Sequence, residues 1–206
     1  MTLQHPIVWV ADIGSIMEGN FAWCRLSIGS DDPECGAQSH TMAHRVARDL
    51  ASGGRVALGF ECPLWVPVPD NYRHLGSQRQ GERGRPWSAG AGAAVLATGL
   101  AQSVWILERI RGECSVAVQP TFEWASLTSG KANLFLWEAF VSGEAKGASH
   151  EEDATRAAQA FIAAVPHLAS DVTGVNPYSL IGAALLRCGL STDLRLLSMS
   201  CVVVKA

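Results

Sequence analysis

Charge is scarce in this sequence: Asp, Glu, Lys and Arg make up 17% of its 206 residues, below the roughly 25% of an ordinary soluble domain. Neither sign dominates, because 16 basic residues stand against 19 acidic ones and leave a net charge of −3. A polybasic protein whose whole surface grips nucleic acid is thereby excluded, although a local basic strip is not. No Cys-x-x-Cys occurs among the cysteines at 24, 35, 62, 114, 188 and 201. A zinc ribbon therefore lacks its close ligand pairs, and the cysteines read as small buried hydrophobes rather than a disulfide framework. The segment Met1-Thr2-Leu3-Gln4-His5 has no basic stretch of the kind that opens a signal peptide. Internal repeats and low-complexity tracts are missing as well. The one uncharged stretch of membrane-spanning length, 87–107, is mostly Ala, Gly, Ser and Thr, which points to a buried helix. Apolar residues are plentiful at 48%, with 20 glycines besides, and that excludes disorder for the chain as a whole. The expectation is one cytoplasmic domain over 1–206 with no membrane partner.

Periodicity divides the chain into alternating strands and helices. The run Ile7-Val8-Trp9-Val10-Ala11-Asp12 is continuously apolar up to its end, the mark of a central strand buried on both faces. Gly19-Asn20 signals a turn into a hairpin partner over 21–28, after which 29–36 reads as loop. A helix over 39–51 ends at Gly53-Gly54, and a buried strand over 55–62 stops at Pro63. The segment 71–90 is an inserted loop rich in Arg and Gly, followed by an apolar helix over 91–110 that should lie against a sheet. Strands are expected at 115–119, 122–127 and 134–141. A helix over 149–165 has Pro166 as its stop, and a short helix follows at 180–188. Met199 to Val204 reads as an exposed apolar edge strand that a second copy could cover. This order predicts an α/β fold with a mixed sheet flanked by helices.

Acidic residues end two of the buried strands. Asp12 closes the first, Glu61 closes the strand before Pro63, and Asp153 sits in the first turn of the 149–165 helix behind His150. In an open α/β sheet ligands collect outside the carboxyl ends of adjacent strands. Carboxylates gathered there repel unless a cation joins them, and hard oxygen donors favour magnesium or manganese. Each residue also has a plainer role: Asp12 as a turn residue, Glu61 as a solvent-facing strand end, and Ser149-x-x-Glu152 as a capping box with Glu151 and Glu152 as first-turn charges.

Taken in order, Ala11-Asp12-Ile13-Gly14-Ser15, Gly59-Phe60-Glu61-Cys62-Pro63-Leu64 and Ser149-His150-Glu151-Glu152-Asp153-Ala154 resemble the ribonuclease H-like superfamily. The nearest patterns are the RuvC-like resolvases and the predicted ribonuclease H-like nucleases. The resemblance spans 5–165 and leaves 166–206 as an extension outside it. It implies a sheet of order 3-2-1-4-5, which needs a third strand where 29–36 reads as loop. It also implies that Asp12, Glu61 and Asp153 ligate two Mg or Mn ions, that His150 acts in catalysis beside them, and that Glu138 adds a fourth carboxylate. The partner would be DNA or RNA, cut at a phosphodiester.

The inserted loop leaves the Glu61 strand with Arg73, Arg79, Arg83 and Arg85 against one acid, Glu82. Guanidinium forks suit phosphate oxygens, so Arg79, Arg83 and Arg85 are candidate substrate contacts, with Tyr72 and Trp87 able to stack on bases. Two other readings remain. Asp12-Ile13-Gly14-Ser15 is similar to the first phosphate loop of the actin-like and sugar-kinase clan, although no second Asp-x-Gly-Ser/Thr occurs. The same fold could also serve as a non-catalytic binding module. Thr128-Ser129-Gly130-Lys131 lacks the upstream glycine of a P-loop, and His40 and His44 lack the intervening glutamate of a zinc protease.

Overall fold

The computed structural model describes residues 5–165 and 167–206. In chain order the first elements are β1 (Ile7–Asp12), β2 (Ala22–Ser27), β3 (Glu34–Gly36), α1 (Ser39–Ala51), β4 (Val56–Glu61) and β5 (Trp65–Pro67). Then come α2 (Gly90–Glu113), β6 (Pro120–Thr121), α3 (Trp124–Thr128) and β7 (Leu134–Phe140). The remainder is α4 (His150–Ala164), β8 (Pro177–Ser179), α5 (Leu180–Arg187) and β9 (Val203–Lys205). Pro166, the expected stop of α4, lies outside the described residues, as do residues 1–4.

β1 is the central strand. It pairs antiparallel with β2 across a turn in which Gly19 takes a φ of 72°. It pairs parallel with β4, which α1 brings alongside. The expected order 3-2-1-4-5 holds for its first four places and fails at the fifth. The observed path is β3-β2-β1-β4-β7-β6, with β9 beside β7. The chain leaves the sheet at Pro63, and β5 pairs instead with β8 in a separate two-stranded sheet. The loop expected at 29–36 is also corrected, because β3 pairs antiparallel with β2 and sets Cys35 opposite Cys24. Three residues are too few to show an alternating pattern, so nothing local announced this strand.

Alternation along the strands builds two cores. Trp9 and Ala11, with Leu58, Phe60, Leu134 and Leu136, face α1, α2 and α5. Val8 and Val10, with Ala57, Phe135, Trp137 and Ala139, face α4. Gly59 belongs to the second face: a Cβ there would stand 2.5 Å from the Trp137 indole, so only glycine lets that ring lie flat across β4. The segment after 166 completes the first core with Val172, Ile181, Leu185 and Val203. Val203 and Val204 are buried in parallel pairing with β7, which corrects the expectation of an exposed apolar edge.

Two further expectations change. The strand read at 115–119 is a loop leading into the two-residue β6, and the one read at 122–127 is largely α3. From that helical turn Trp124 packs edge-on against Phe135 and Phe161, at ring-centre distances of 5.3 and 5.4 Å. α2 does not lie broadly on the sheet. It buries one stripe, Gly99, Ser103, Ile106, Leu107 and Ile110, mainly against α1 and α5, and leaves Leu100 and Trp105 exposed. Among the described residues it is the one helix long and apolar enough to cross a membrane.

The 71–90 loop is held down by a buried guanidinium. Arg79 Nη1 and Nη2 donate to Glu138 at 2.9 and 2.5 Å, and Nε donates to Glu82 at 2.8 Å. Nη1 also reaches the Trp65 carbonyl, and the guanidinium lies 4.8 Å from the Trp65 ring centre. Burial works against its charge, but Glu138 and Glu82 outweigh that and hold its pKa above the ordinary arginine value. Removing one partner of such a group strands the others without solvent. Arg79→Met should therefore lower the unfolding free energy by about 3–5 kcal/mol in a urea titration. An unchanged midpoint and slope would show that the network does not hold the loop.

Candidate metal centre

β1 and β4 run parallel and in register, so their last residues, Asp12 and Glu61, are direct neighbours at one edge of the sheet. Strand parity sends both toward α4: Asp12 follows Val8 and Val10, and Glu61 follows Ala57 and Gly59. α4 begins at this edge because Ser149 caps it, accepting the Glu152 N–H at 3.2 Å, while the Glu152 carboxylate accepts the Ala148 N–H at 2.7 Å. Glu152 also pairs with Arg156, so it is a capping residue. The first turn then presents His150 and Asp153 to the strands.

His150 Nδ1 lies 2.6 Å from Asp12 Oδ2. Donor atoms of Asp12, His150 and Asp153 all lie within 4.8 Å of one another. Asp12 and Asp153 are each only 4% exposed. Glu61 flanks this trio, and a residue that the sequence reading passed over enters beside it. Lys146 Nζ stands 3.2 Å from Asp153 Oδ2 and 3.7 Å from Glu61 Oε1. The next residue, Gly147, donates its N–H to Asp153 Oδ1 at 2.5 Å. Lys146 lies in the short link between β7 and α4, seven positions before Asp153, and that placement ahead of an acidic first turn was its only signal.

Burial is the main force on these carboxyls. It raises the pKa of Asp12, against hydrogen bonds from Glu61 and His150. Burial likewise pushes Glu61 up to about 9, reinforced by the charge of Asp12 and opposed by Lys146. Glu61 Oε2 is buried and meets no N–H or O–H donor. A proton held on Glu61 and directed at Asp12 relieves the repulsion between the two groups, much as carboxyl pairs elsewhere share one proton, but leaves Glu61 Oε2 without a partner. A divalent cation would satisfy the same oxygens. Hard carboxylate donors, one imidazole and an orphaned acceptor oxygen fit magnesium or manganese, so the residues present suit the ion that the sequence pattern implied.

Glu138 does not join them. It is opposite Phe60 in the β4–β7 register and shares that residue's face, turned away from Asp12 and Glu61. Its two oxygens are taken by Arg79 and by the Leu64 N–H at 2.9 Å. The expectation of a fourth metal carboxylate is corrected on both counts. Arg79 is likewise withdrawn from phosphate contact by its burial against Glu138 and Glu82. Arg83 and Arg85 are exposed, and their guanidinium groups make no hydrogen bond or ion pair among the described residues.

A raised carboxyl pKa means that the folded state holds the proton more tightly than the unfolded chain does. Without metal, Glu61 therefore costs stability progressively as pH rises from about 4.5 toward about 9. Glu61→Gln should unfold at a higher temperature than the parent in EDTA at pH 8, by about 1–3 kcal/mol, with the two converging near pH 4.5. Equal melting temperatures at pH 8 would contradict the burial of an uncompensated acid here. No protein-family model, no curated protein and no solved structure matches this chain.

Proposed function

We propose that this chain is a divalent-metal-dependent nuclease of ribonuclease H-like design. The reading rests on one observation above all. A strand end and the first turn of a distant helix bring donor atoms of Asp12, His150 and Asp153 within 4.8 Å, at the carboxyl edge of the central strand. The sheet path supports it too. The order β3-β2-β1-β4 continues into β7, a parallel strand that takes the place of the family's fifth. The Asp12-Ile13-Gly14-Ser15 turn gives the phosphotransfer alternative no help. Asn20 donates its N–H to the Ser15 carbonyl at 2.8 Å, and a Cβ on Gly14 would meet the Asn20 carbonyl at 1.9 Å. Asn20 thus closes over Gly14, while residues 15–20 of the turn stay exposed.

Asp12 and Asp153 would hold the ion, with Glu61 offering its free oxygen from the flank. Bound there, magnesium or manganese supplies charge to polarise a phosphate oxygen and to acidify water. The remaining work falls to the chain. His150, fixed through Nδ1 on Asp12, keeps Nε2 free of partners among the described residues, and its half-exposed ring can take a proton from an attacking water. Lys146 offsets part of the carboxylate charge, so that an anionic phosphodiester can approach. Arg83 and Arg85 lie free on the loop that leaves the Glu61 strand and suit flanking phosphates.

Asp12→Asn keeps the side-chain shape and removes one charge. It should lower manganese-dependent cleavage by about a hundredfold or more, while leaving the melting temperature in EDTA unchanged or raised. Parent-rate cleavage by this variant would rule the site out. Replacing Arg83 and Arg85 together by Ala should reduce the slope of log affinity against log salt by about 2, or roughly one phosphate contact each. An unaltered slope would remove both from the substrate path.

A further inference from the structure

A cavity of about 110 Å³ lies directly beside the carboxylate cluster and shares Glu61 and Lys146 with it. Trp87, Val95 and Phe140 supply apolar walls, and the exposed Arg85 lines it as well. The Trp87 ring is held in place from two directions. Its indole N–H donates to the Ser77 carbonyl at 3.0 Å, and its backbone N–H donates to Glu82 at 3.2 Å. Glu82 is in turn locked by Arg79. The cavity therefore exists before any ligand arrives. It is smaller than the apolar cavity of about 150 Å³ that encloses one benzene, so it admits a single flat ring only in part.

We infer that this cavity receives the base of one unpaired nucleotide, so that the substrate is single-stranded or locally unpaired nucleic acid. The inference rests on the nuclease reading and narrows it. The walls suit the face of a flat ring, whereas the two cationic groups, Arg85 and Lys146, suit the phosphates on either side of it. The acids that also line the cavity, Glu82 and Glu138, share the one cation Arg79, and the negative charge left over is offset by Arg85 and Lys146 on the same walls. A base inside a duplex cannot enter: its faces are stacked and its edge is paired, and it must leave the helix first. With the base seated, sharing of Glu61 and Lys146 sets the adjoining phosphate at the carboxylate cluster. Trp87 is then a substrate-binding residue, and Arg79 is a positioning residue acting through Glu82.

Fluorescence anisotropy tests this with end-labelled twelve-residue DNA and RNA single strands and their perfect duplexes, in calcium to limit cleavage. The parent protein should bind the single strand of at least one sugar type about tenfold tighter than its duplex. Trp87→Ala and the cavity-filling Val95→Trp should each weaken single-strand binding by about tenfold, the usual loss for one base–aromatic stack, and leave duplex binding unchanged. Circular dichroism of both variants checks that they remain folded. Duplex bound as tightly as single strand, or single-strand affinity untouched in folded Trp87→Ala, overturns the inference while leaving the nuclease reading standing. No binding of any of the four nucleic acids overturns both.

Discussion

Parallel, in-register pairing of β1 with β4 forces Asp12 and Glu61 to end side by side on one face of a sheet buried on both sides. Two carboxyls so placed repel, and burial denies them the water that would screen the repulsion. The surroundings answer this in several ways. Glu61 holds its proton, Lys146 brings positive charge, His150 Nδ1 hydrogen-bonds Asp12, and Gly147 adds a backbone N–H to Asp153. Each remedy is incomplete, since Glu61 Oε2 still lacks a donor. A site left in this condition is one in which a small doubly charged ion gains more than it would at an ordinary acidic surface.

The same strand parity decides which acids belong to the cluster. Asp12 and Glu61 were legible because each closes a continuous apolar run, and the order of the runs carried the parallel pairing with it. His150 and Asp153 were legible from a capping signature that marks where a helix starts and so which of its residues face the strands. Glu138 was misplaced because its neighbours Trp137 and Ala139 are also apolar. A strand buried on both faces gives no hint of which side a given residue takes. Only the register with β4, which sets Glu138 opposite Phe60, puts it on the other face.

The remaining failures share a cause. β3 and β6 have three residues and two, below the length at which alternation can be seen, and they exist only because neighbouring strands offer free edges. Arg79 looked like its fellow loop arginines: its near partner Glu82 serves all of them equally in sequence, and the partners that bury it, Glu138 and the Trp65 carbonyl, lie 59 and 14 positions away. Lys146 went unnoticed for the opposite reason, as an isolated cation in a short link. Both residues matter through where the fold carries them rather than through any pattern around them.

The sheet is also assembled from distant pieces: Val56 pairs with Leu134, and Glu138 with Val203. Pairings of this kind close long loops before they return any contact energy, so the chain should cross its folding barrier slowly. The acidic edge is drawn from three separate stretches, around residues 12, 61 and 146–153. These meet only when the strands are already aligned and α4 has docked. Mutual repulsion among the carboxyls therefore weighs on how fast the finished protein unfolds more than on how fast it forms, and a bound cation would act on the lifetime of the native state.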